Sequence, residues 1–104
     1  MNRPGLVKEF AKTAVGYGQA LNQYQQSQES VKHQKSNLEN LRRWIKKPET
    51  RKASADARKM LRMEISEMQK RLKIEKALSK RLARQVAHAE QTLEIKTRQL
   101  VAAE

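Results

Sequence analysis

Phe10, Tyr17, Tyr24, Val31, Leu38 and Ile45 recur at every seventh position without a break. Repeats of this kind put one apolar side chain on the same helical face in every heptad, a spacing that a strand cannot use. With these residues taken as the d positions, the a positions read Val7, Ala14, Leu21, Gln28, Lys35 and Arg42, apolar at first and polar toward Pro48. The second half of the chain carries its own stripe. Leu61, Ile65, Met68, Leu72, Glu75, Ser79, Leu82, Val86, Ala89, Leu93, Lys96 and Leu100 are spaced alternately by four and three, with no Gly or Pro between them.

Pro48 separates the two stripes. It lacks the N–H that a helix interior needs and disfavours helical geometry at Lys47. The stretch from Lys47 to Ser54 therefore reads as a turn, with Thr50 or Ser54 available to cap the second helix and Asp56 favourably placed in its first turn. At the other end Pro4 suits a first helical position, with Asn2 or Arg3 as the cap. The predicted organisation is a single domain: one helix over about residues 4–47, a turn over about 48–53 and a second helix over about 54–103. Gly16 and Gly18 lie inside the first helix without shifting its heptad phase, which leaves a kink or a close backbone approach as their possible uses.

Two long helices joined by a short turn fold back on each other. The fold class expected is all-α, a long antiparallel two-helix coiled-coil hairpin, packed further into an oligomer or larger assembly. A turn centred near residue 50 sets Phe10 opposite Ala89, Tyr17 opposite Leu82, Tyr24 opposite Glu75, Val31 opposite Met68 and Leu38 opposite Leu61. The competing arrangement has the helices splayed apart, each paired with another chain. Leu41, Met60, Met63, Ile74, Leu78 and Ile95 fall off these seams, as does Trp44. Apolar residues left outside a thin two-helix core point to burial against a partner, and self-association or a larger protein assembly is the expectation.

Charge is the second constraint. The formal net charge is +12. Residues 41–84 hold sixteen basic and five acidic groups, so that almost all the excess lies in the middle of the chain. A hairpin gathers that middle toward its bend. Arg42, Arg43, Lys46, Lys47, Arg51, Lys52, Arg58, Lys59 and Arg62 flank the turn, and Lys70, Arg71, Lys73, Lys76, Lys80, Arg81 and Arg84 continue along the second helix. Concentrating like charge works against folding by self-repulsion, and a polyanionic partner relieves it. Phosphate is the commonest such group, and Arg suits bidentate contacts to it. The expectation is a DNA or RNA binder acting through phosphates and largely indifferent to sequence. The alternative is a structural component of a large complex, such as a virion or secretion apparatus, docking on acidic protein surfaces. Trp44 stands among these cations, where an aromatic can stack on a base or wedge into a groove. A Trp beside a helical bend more often packs across the turn, and packing is the favoured role, with Trp44 still counted beside the cations as a candidate nucleic-acid-binding residue.

The chemistry of catalysis is missing from the pattern. There is no Cys, hence no disulfide framework or thiolate site, and Asp56 is the sole aspartate. His33 and His88 fall at outward positions without a second ligand at metal spacing. Ser54, His33 and Asp56 form no nucleophile arrangement, and the glycine pair lacks a phosphate-loop context. No enzyme activity, cofactor or metal is expected. Arg51-Lys52-Ala53-Ser54 loosely fits a basic-directed phosphorylation site, although a capping role accounts for the serine more simply. No apolar run suits a signal peptide or a membrane span. Membrane association is the weakest of the binding choices, and an intracellular location, cytoplasmic or within a virion, is expected.

Overall fold

The computed structural model describes residues 3–104; Asn2, one of the two expected caps, lies outside them. The described residues form three helices: α1 over Arg3–Lys46, α2 over Pro48–Arg51 and α3 over Ala55–Ala102. There is no strand among the described residues. The two long helices pack against each other as a hairpin, because the short connection leaves α3 nowhere to go but back along α1.

The bend is built differently from the plain turn expected over 48–53. Lys47 adopts extended backbone (φ −67°, ψ 144°), as a residue before proline must, and Pro48 then begins a new helical turn instead of only ending the old one. Pro has no N–H to waste at a first helical position, so Pro48–Arg51 winds into α2. The chain reverses at Lys52, Ala53 and Ser54. Ser54 then caps α3: its Oγ accepts the Ala57 N–H at 3.2 Å, and Asp56 adds negative charge to the first turn.

Alternate three- and four-residue spacing governs burial in both long helices. On α3 the half-buried and buried residues from Leu61 to Leu100 include every position of the expected stripe, Glu75, Ser79 and Lys96 among them. On α1 the heptad of Phe10, Tyr17, Tyr24, Val31, Leu38 and Ile45 also faces inward, but its companion is not the expected one. Thr13, Ala20, Ser27, Gln34 and Leu41 turn in, three residues after each aromatic or aliphatic anchor. Ala14 and Leu21 keep partial cover, whereas Val7, Gln28, Lys35 and Arg42 are exposed. Leu41 thus belongs to the hairpin's own seam and leaves the set of off-seam residues.

The chain divides into two compact units. One comprises residues 1–27 with 79–104, and the other residues 28–78. In the first, Leu82 is buried, and Ser27 is 6% exposed with its Oγ donating to the Tyr24 carbonyl at 2.7 Å. Lys96 Nζ reaches Glu9 Oε2 at 3.0 Å, and Arg3 lies 3.8 Å from Glu104. In the second unit Leu38 and Leu72 are the buried apolar residues, 4% and 8% exposed. No side chain of either unit is fully buried among the described residues, as expected of a core only two helices deep.

The ion pairs correct the register. Phe10 opposite Ala89 would bring Glu9 level with Glu90, a repulsive pair; Glu9 instead meets Lys96. In the unit that carries the termini, this contact and that of Arg3 with Glu104 lie about one heptad beyond the expected register. α2 carries the reversal of the chain from Pro48 on to Lys52–Ser54.

Gly16 and Gly18 do not interrupt α1, and no neighbour approaches them closely. The helix runs through them, neither has a positive φ, and a Cβ at either would meet nothing within 4 Å.

Candidate polyanion-binding site at the bend

The unit formed by residues 28–78 holds fifteen basic and seven acidic residues, a net of +8; the other unit holds eight and four, a net of +4. The cations nearest the bend come from all three helices. Arg42, Arg43 and Lys46 sit in the last turns of α1, Lys47 at the break, Arg51 in α2, Lys52 in the reversal, and Arg58, Lys59 and Arg62 in the first turns of α3. All are exposed except Arg58, which is half-buried.

Part of this charge has a local use. Arg43 and Lys46 in the last turn of α1, and Arg51 in that of α2, oppose the negative ends of the helix dipoles. The two nearby carboxylates, Glu49 and Asp56, occupy first turns, where the dipole favours them. Neither is spent on a cation. Among the described residues no carboxylate lies within ion-pair range of Arg42, Arg43, Lys46, Lys47, Arg51, Lys52, Arg58, Lys59 or Arg62. In this unit Lys70 alone is paired, with Glu67 at 3.5 Å. Arg58 has a further peculiarity: its Nε is buried without a hydrogen-bond partner.

Trp44 departs from the expected packing. It does not pack away across the turn but remains 53% exposed. The Lys47 ammonium stands over its ring, 3.9 Å from the centroid, in cation–π range. The two residues are three apart at the end of α1, where side chains are neighbours, and the Lys47 N–H donates to the Trp44 carbonyl at 3.1 Å.

Of the apolar residues expected off the seam, Met60, Met63, Ile74 and Leu78 are exposed in the unit that carries the bend, and Ile95 is exposed in the other. Val7, Val15 and Val101 join them, and Val7 was expected inside. Farther along α3, Arg81, Arg84, Gln85 and His88 line a shallow open depression. The arginines were legible as a continuation of the basic run; Gln85 and His88 carried no signal that would have joined them. No group of three or more metal-ligating side chains is present among the described residues, and none of their helices is long and apolar enough to cross a membrane.

No protein-family model, curated protein or solved structure matches the chain.

Proposed function

We propose that this chain is a binding protein without enzymatic activity, and that its bend takes the phosphate backbone of nucleic acid, DNA or RNA, largely irrespective of sequence. What supports the reading above all is that the nine cations around the bend lack a carboxylate partner among the described residues while eight of them stand exposed. Unpaired like charges gathered on one short segment repel one another, and phosphates relieve that repulsion while releasing condensed counterions. Three helix segments meeting there spread the guanidinium and ammonium groups over more than one line of approach. Contacts of this kind set affinity and position but carry no sequence information.

The exposed Met60, Met63, Ile74 and Leu78 support an assembly role beside this binding. They also favour a second reading, in which the chain is a component of a larger complex, such as a virion or secretion apparatus. There the cations dock on an acidic protein surface and the apolar residues are buried against a neighbour.

The test replaces Arg42, Arg43, Lys46, Lys47, Arg51 and Lys52 together by Gln. Fluorescence anisotropy with labelled single- and double-stranded oligonucleotides should show a loss of at least about 100-fold at low salt, since each lost phosphate contact removes a released counterion. Helicity measured by circular dichroism should be retained. Unchanged affinity would remove the bend from the binding surface. Absence of any nucleic-acid binding by the parent chain, together with a defined oligomer by light scattering, would favour the second reading.

A further inference from the structure

The chain holds one tryptophan, and the bend leaves its ring half in solvent. A half-exposed indole forgoes apolar burial, so its position calls for a use. Three features frame the ring. It ends a helix, in the last turn of α1 before the break at Lys47. A cation already rests on it, the Lys47 ammonium at 3.9 Å. Its neighbours Arg42, Arg43 and Lys46 are exposed and free of carboxylates among the described residues.

We infer that Trp44 is a base-stacking residue, and that the bend therefore prefers single-stranded nucleic acid to duplex. The inference rests on the phosphate reading above and deepens it. An aromatic ring stacks on a base only when that base has left its own stack, as bases in single strands and loops do. A duplex hides its base faces and offers only its backbone and groove edges to the same cations. Lys47 complements the arrangement: a cation held against the indole lies within a side chain's reach of the phosphate attached to a stacked base, so one residue pair meets both parts of a nucleotide. Because one ring accommodates any base, the preference is for strandedness and not for sequence.

The lone tryptophan makes the test direct. Full-length protein is titrated with an oligothymidylate and, separately, with a duplex of equal length, following indole emission and, on labelled strands, anisotropy. Stacking predicts saturable quenching that tracks the anisotropy curve for the single strand and is absent or weak for the duplex. Trp44→Ala should weaken single-strand binding by about 5- to 150-fold, the span of one base–aromatic stack, while leaving duplex binding within a few fold. Trp44→Phe should restore much of the loss and guards against a folding defect in the alanine variant. Binding of both nucleic acids without a change in emission, with Trp44→Ala equal to the parent on both, would overturn the stacking role and leave the phosphate contacts standing. Binding of neither would overturn both.

Discussion

In the unit that carries the termini, Lys96 meets Glu9, Arg3 meets Glu104 and Arg98 meets Glu94; in the unit that carries the bend, the corresponding interaction is one exposed contact, Lys70 with Glu67. The larger charge excess thus lies where fewer charges are neutralised from within. Surface ion pairs of this sort stabilise by less than about 1 kcal/mol each, so the difference is small as a matter of folding energy. It matters for what is left over. The first unit neutralises charges between and along its helices, and the second keeps nine cations and an exposed indole without an internal acidic partner. Both units have the same two-helix section and the same thin core, so the contrast reflects the residues chosen for the outer faces and not a difference in fold.

If the two units are equally well packed and differ only in their outer faces, core substitutions should act alike in both. Leu72→Ala in the bend unit and Leu82→Ala in the other should each cost about 2–5 kcal/mol, read from urea unfolding by circular dichroism, as buried leucines do. A loss under about 1 kcal/mol at either position would show that its seam is not packed as described. A smaller effect comes from Gly16→Ala and Gly18→Ala, both in the unit with the termini. Each should add about 1 kcal/mol of stability, because the backbone is helical and a Cβ meets open space. Nucleic-acid affinity should not move. Destabilisation by either substitution would mean that a neighbour packs against that face, and a change in affinity would bring this unit into the binding surface.

The helical hairpin was legible from the seventh-residue repeat and Pro48, and the whole inward stripe of α3 was legible from its spacing. The second stripe of α1 was not. Val7, Ala14 and Leu21 drew attention because they are apolar; Val7 is exposed, Ala14 and Leu21 are half-buried, and Thr13, Ala20, Ser27 and Gln34 turn inward as well. Small or polar side chains can line a two-helix seam when their hydroxyls bond back to the preceding turn, as Thr13 does to the Glu9 carbonyl and Ser27 to that of Tyr24. Hydrophobicity alone could not separate two stripes one residue apart, and the misplacement of Leu41 has the same origin. The register failed for a different reason. Pro48 was read as a stop, while its pre-set φ also makes it a starter, and α2 carries the reversal on to Lys52–Ser54. At the candidate site the cations and their concentration were plain in the sequence. The half-exposure of Trp44 was not, since a Trp beside a bend was expected to pack across the turn.

The central proposal, that the bend's unpaired cations bind phosphate, is tested most directly by the salt dependence of binding. The parent chain is titrated with a single-stranded oligonucleotide across a series of salt concentrations. Neutralisation of six or more phosphates predicts a line of log affinity against log salt with a slope of about −4 or steeper, at about −0.7 per contact. A slope near zero, or no measurable affinity even at low salt, would contradict it.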